Sequence, residues 1–65
     1  MKKETIGQNA GLIWHALQEG EKNVKAVKRV TKLKERELNL ALGWLAREGK
    51  IILKEVENEL FVSLA

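Results

Sequence analysis

Between residues 22 and 36 the chain carries seven cations, Lys22, Lys25, Lys28, Arg29, Lys32, Lys34 and Arg36, against the single carboxylate of Glu35. That stretch has a net charge of +6, while residues 1–21 sum to −1 and residues 37–65 to −2. Cations concentrated in this way suit an anionic partner, and what they offer a nucleic acid is sequence-independent contact with phosphate. Lysine also serves simply as a solvated, solubilising surface, so position counts as much as number. Lys25, Lys28, Arg29 and Lys32 recur at i, i+3, i+4 and i+7, which gathers them on one face of a helix. Lys34 and Arg36 carry the charge past the end of that helix. Two side chains have donors suited to base edges: Arg36 for guanine and Asn39 for adenine.

Other chemistry is poorly provided for. His15 is the sole imidazole, and no motif sets a nucleophile or an orienting carboxylate beside it. It reads as a surface or boundary residue. With no cysteine the chain has neither a disulfide nor a thiolate ligand, and one histidine does not make a zinc site. No glycine-rich phosphate loop or paired-carboxylate motif is present. A non-enzymatic protein without metal or cofactor is expected. No apolar run is long enough to span a bilayer, and Met1-Lys2-Lys3-Glu4-Thr5 is not followed by a signal-type stretch, so a cytoplasmic location is expected.

The elements that must position the cations follow from periodicity. Residues 1–65 read as one small domain. A first helix is predicted from Thr5 or Ile6 to Glu19, with Thr5 as N-cap. Ile6, Ala10, Ile13 (with Trp14) and Leu17 form its apolar stripe, and Gly20 closes it in a left-handed conformation. Gly7 and Gly11 lie four apart inside this helix, either to admit close approach by another element or simply tolerated. Asn23 is a strong N-cap type for a second helix over 24–31, with Val24, Val27, Val30 and Thr31 facing inward. Thr31-Lys32-Leu33-Lys34 breaks the pattern as a tight turn plugged by Leu33. A third helix over Glu35–Glu48 then buries Leu38, Ala41, Leu42 and Leu45. Glu35 and Glu37 suit its positive end and Arg47 its negative end. Gly49 ends it. The apolar runs 51–55 and 60–64, joined by a polar link, predict an antiparallel hairpin, and Glu21-Lys22 could add a third strand.

Two short helices joined by so tight a turn make a helix-turn-helix, and a following hairpin is the wing. The expected fold class is α+β, a winged helix-turn-helix: a three-helix bundle followed by a C-terminal β-hairpin wing. The run Leu40-Ala41-Leu42-Gly43-Trp44-Leu45-Ala46-Arg47-Glu48-Gly49-Lys50-Ile51 resembles the passage from helix three into the wing of many such domains. With Ile6-Gly7-Gln8-Asn9-Ala10-Gly11 and Glu59-Leu60-Phe61-Val62-Ser63-Leu64, it is similar to a family of small stand-alone prokaryotic winged-helix proteins of unknown function. The resemblance covers nearly the whole chain. It implies the fold and no particular ligand.

On this architecture the expected double-stranded DNA contacts are Lys25, Lys28, Arg29, Lys32, Lys34, Arg36 and Asn39, with weak or no sequence preference. The acidic wing tip, Glu55-Val56-Glu57-Asn58-Glu59, opposes phosphate. So do Glu35 and Glu37, while Leu40 offers only an apolar contact. Surplus apolar surface raises a second reading, a dimerisation or adaptor module that keeps the fold without reading DNA. Leu40 and Trp44 meet on one flank of helix three. Ile52 and Phe61 alternate onto the sheet face opposite Ile51, Leu53, Leu60 and Val62. A homodimer with contacts among Leu40, Trp44, Ile52 or Phe61 is expected, the plainer alternative being that helix one covers one sheet face and the exposed apolar residues are scattered singly.

Overall fold

The computed structural model describes residues 2–65. Its elements in chain order are α1 (Lys3–Ala16), a 3₁₀ turn (Leu17–Glu19), β1 (Lys22–Asn23), α2 (Val24–Thr31), α3 (Glu35–Arg47), β2 (Ile51–Val56) and β3 (Glu59–Leu64). The strands form one antiparallel sheet in the order β1-β3-β2. Three helices followed by a hairpin wing is the expected α+β winged-helix arrangement. Among the described residues no helix is long and apolar enough to cross a membrane.

Helix α1 starts earlier than the sequence suggests. The Ile6 amide donates to the Lys2 carbonyl at 3.1 Å, so Lys2 is the N-cap and Thr5 lies within the first turn. Its buried stripe is centred on Ile13. With 3.6 residues per turn, Ala10 and Leu17 fall to one side of Ile13, and Asn9 and Ala16 to the other. All five are buried. Trp14 stands roughly 100° from Ile13 at that periodicity, outside the stripe, and is 40% exposed. The glycine pair is not explained by close approach within the chain: a Cβ built on Gly7 or Gly11 meets nothing within 4 Å. Each therefore costs about 0.8–1 kcal/mol of helix propensity relative to alanine without an intramolecular packing gain. Gly20 has φ 123° and ψ −179°, a positive-φ extended conformation after the 3₁₀ turn and not the expected left-handed helical one.

Helix α2 follows its pattern with one exception. Val27 is fully buried and Val24 packs against the core, but Val30 is 52% exposed. Val24 and Thr31 lie on the same side of Val27, and Val30 lies roughly 60° to the other side, at the edge of the contact with α1 and β3. In α3, Leu38, Ala41, Leu42 and Leu45 are all buried, as their spacing predicts. The helix ends at Arg47, with Glu48 as C-cap. Gly49, at φ 69°, then turns the chain into β2.

The strands run 51–56 and 59–64, one residue longer each than expected. The turn is only Glu57-Asn58, both at positive φ (50° and 67°). Two successive residues in that region make the type I′ hairpin turn, whose twist matches that of the strands. In the register Ile51↔Leu64, Leu53↔Val62 and Glu55↔Leu60, the Ile51/Val62 face meets the helices. Ile51 and Val62 are buried, yet Leu53 and Leu60 on the same face remain about 43% and 40% exposed. They sit out along the wing, past the cover of the helices. The third strand forms at Lys22–Asn23, one residue beyond the expected Glu21-Lys22, and pairs with Val62 and Phe61.

The core joins Ala10, Ile13 and Leu17 of α1 and its 3₁₀ extension to Val27, Leu33, the inner face of α3, Ile51 and Val62. Leu42 lies in this cluster at 6% exposure. Leu42→Ala should destabilise the protein by roughly 2–5 kcal/mol, the range for a buried leucine. Urea unfolding of variant and parent measures it, and coincident curves would place Leu42 outside the core.

Candidate nucleic-acid interface

The basic segment is held by three local devices. The first is at Asn23. Its backbone is extended and paired opposite Phe61, while its side-chain Oδ1 accepts from the Ala26 amide at 2.7 Å. One residue thus ends β1 and caps α2. The second is at Thr31, whose hydroxyl donates to the Val27 carbonyl at 2.7 Å and accepts from the Leu33 amide at 3.4 Å. Lys32 turns the chain in the left-handed region (φ 60°), its amide donating to the Lys28 carbonyl at 2.8 Å. Leu33 enters the core at 8% exposure. The third is at the start of α3, where the Glu37 carboxylate accepts from the Lys34 amide at 3.0 Å. Glu37 is half-buried and committed to this backbone contact, so it bears on the approach surface less than the sequence suggests.

Around these devices Lys25, Lys28, Arg29, Lys32, Lys34 and Arg36 are all exposed. Among the described residues the one ion pair joins Lys22 to Glu19 at 3.3 Å, so these six cations have no paired carboxylate. Lys22 is the cation of the segment withdrawn by an acid. On α3, Glu35, Arg36, Asn39, Leu40 and Gly43 are exposed, as their positions predict. The sequence reading gives Arg47 no role beyond the helix end. Eleven residues are about three turns of helix, so Arg47 lies nearly in line with Arg36, and it too is exposed. The 11-residue separation is the signal for it that the sequence contains.

The wing brings the opposite charge. Glu55, Glu57 and Glu59 are exposed at and beside the hairpin turn. A cleft of about 280 Å³ between the wing and the helix starts has Glu35 and Glu59 in its lining, with Lys25. The surface is thus asymmetric: basic along α2 and the turn, acidic between α3 and the wing. Phosphate is favoured only on the first side.

The residues expected to self-associate fall on α3 and on both strands of the hairpin. Leu40 and Trp44 are exposed on α3, whereas Ile52 is exposed and Phe61 half-buried on the outer face of the hairpin. Leu12, Trp14, Val30, Leu53, Val56 and Leu60 are further exposed apolar residues that spacing alone does not single out. His15 is exposed, its ring edge-on to Trp14 at 5.7 Å.

A family model described as "Winged helix-turn-helix domain (DUF2582)" matches residues 1–64. The chain is 34% identical over 62 residues to the uncharacterized protein MJ1608 of Methanocaldococcus jannaschii, covering 91% of this chain and 89% of that protein. It is also similar to the solution NMR structure of protein BT2368 from Bacteroides thetaiotaomicron. That match has a TM-score of 0.87 and 34% identity, and it covers 98% of this chain and 79% of the other.

Because Asn23 serves sheet and helix together, Asn23→Ala should cost about 0.5–2 kcal/mol, the usual range for removal of an N-cap. The amides of α2 should exchange faster while those of α3 change less. Hydrogen exchange by NMR measures both, and uniform loss of protection would show that the cap has no local role.

Proposed function

Since the chain belongs to the winged helix-turn-helix domain family DUF2582, we propose that it binds double-stranded DNA through α2 and the turn, with little sequence preference. The observation that carries this reading is the set of six exposed, unpaired cations, Lys25, Lys28, Arg29, Lys32, Lys34 and Arg36, on the helix-turn-helix. Phosphate contact positions such a protein and carries no sequence information. Arg36 and Asn39 are the side chains that would meet base edges, Arg36 at guanine and Asn39 at adenine. Glu35 beside them and the acidic wing oppose phosphate. Affinity then falls in the non-specific range of roughly 10⁻⁴–10⁻⁶ M.

Lys28→Glu with Arg29→Glu should weaken binding to all duplexes alike. The same double variant should flatten the salt dependence by about one log–log unit for each phosphate that is no longer neutralised. Asn39→Ala should change only the ranking among sequences. Fluorescence anisotropy with mixed duplexes at two salt concentrations tests both, and no binding by the parent at low salt would leave the basic face a solvated surface.

A second reading is favoured by the apolar side chains left in solvent. Leu40, Trp44 and Ile52 are 42%, 40% and 53% exposed in a protein without cysteine. Small scaffolds without disulfide or metal gain stability by association. A homodimer using Leu40, Trp44, Ile52 and Phe61 would cover part of that surface. Sedimentation equilibrium over a concentration series should show a dimer that Trp44→Ala weakens. A monomer at high micromolar concentration would remove this reading.

A further inference from the structure

We propose that the groove between α1 and α3 is a binding site for a small aromatic zwitterion, of which a free aromatic amino acid is the simplest example. The groove is open to solvent and has a volume of about 390 Å³, within the range of small-molecule sites. Gly7, Gly11 and Trp14 line it from α1, and Trp44 lines it from α3. The two indoles do not pair with each other: among the described residues the one aromatic pair is Trp14 with His15. Above the glycines the space is open, since a Cβ at either would touch nothing within 4 Å. The helix-propensity penalty of both glycines is therefore unrelieved within the chain, and a flat ring seated over them would use the room they leave.

Charge narrows the ligand class. Glu48 and Lys50 both line the groove, and both are exposed without an ion pair to each other. The positive-φ turn at Gly49 brings these opposite charges to one site. A carboxylate and an ammonium beside aromatic walls complement a ligand that carries an ammonium, a carboxylate and a ring. A purely apolar occupant would leave both charges unused. A simple anion or cation would meet one charge of its own sign.

Both tryptophans of the chain line the groove, so indole emission reports its occupancy directly. L-Phenylalanine, which does not absorb where indole is selectively excited, is titrated into the full chain. Benzyl alcohol (ring without charges) and glycine (charges without ring) are run in parallel. The expected result is a saturable change in emission with L-phenylalanine and at least about tenfold weaker responses to the other two, tenfold being about one good polar contact. Glu48→Gln and Lys50→Gln should each weaken the response by about threefold to tenfold, and Gly11→Leu should abolish it by filling the groove. Leucine is the better helix former, and circular dichroism checks that the variant folds. If it does not, the two rim variants carry the test. The proposal is overturned by an absent or non-saturating response, by one that survives all three substitutions, or by benzyl alcohol matching L-phenylalanine. A second copy seated in the groove would overturn it too, seen as emission that shifts with protein concentration and that saturating L-phenylalanine leaves unchanged.

Discussion

The arrangement of this protein turns on the pairing of a two-residue strand. Lys22 and Asn23 lie opposite Val62 and Phe61 on the central strand, and the chain passes from Asn23 directly into α2. A two-residue pairing contributes little alone. It matters because the Asn23 side chain caps α2 and because Val62, opposite Lys22, is fully buried against the helices. Sheet pairing, helix capping and core burial therefore meet within a few residues. Without that junction the basic helix would keep its contacts with α1 and β3 but lose both its cap and its tie to the sheet edge.

Burial explains why so much depends on one junction. The core is a cluster of eleven buried residues drawn from every helix, the turn and two strands, with no cysteine to reinforce it. Domains of this size bury a smaller fraction of their surface than larger ones. Helix α1 adds its own weaknesses: two glycines at which a Cβ would meet nothing within 4 Å, and a buried Asn9 whose Nδ2 has no hydrogen-bond partner among the described residues. A buried unsatisfied amide and two glycines in a helix are each destabilising. They stand against the apolar contacts of Ile13 and Leu17, both almost wholly buried.

The electrostatics divide the surface along the same lines. Cations cluster where the backbone is held by Asn23, Thr31 and Leu33, and acids cluster on the hairpin that projects beyond the core. A winged helix that grips a duplex with both parts needs a wing that tolerates phosphate. Here Glu55, Glu57 and Glu59 do not. The surface suited to an anion is therefore α2 and the turn, and α3 meets it at an edge through Arg36. Glu37, one of the two acids at the start of α3, is engaged with the Lys34 amide, which leaves Glu35 as the nearer source of repulsion.

Element types and order were legible in the sequence because periodicity is local. The α3 stripe of Leu38, Ala41, Leu42 and Leu45, the Asn23 cap, the Leu33 plug and the antiparallel pairing of the hairpin each follow from side-chain type and spacing on a regular backbone, and all appear in the fold. The exposure of the six cations was legible for the same reason. What tertiary structure alone decided was the width and edges of each buried face. Trp14 and Val30 read as inward from spacing, but the elements packed on α1 and α2 cover only part of the arc, and both residues fall outside it. Leu53 and Leu60 alternate correctly and are still exposed, because the helices stop short of the wing. The groove that brings Gly7, Gly11 and Trp14 beside Trp44, Glu48 and Lys50 was equally out of reach. Those two sets of residues are separated in the chain by α2, the turn and most of α3, and only the packing of α1 on α3 makes them neighbours.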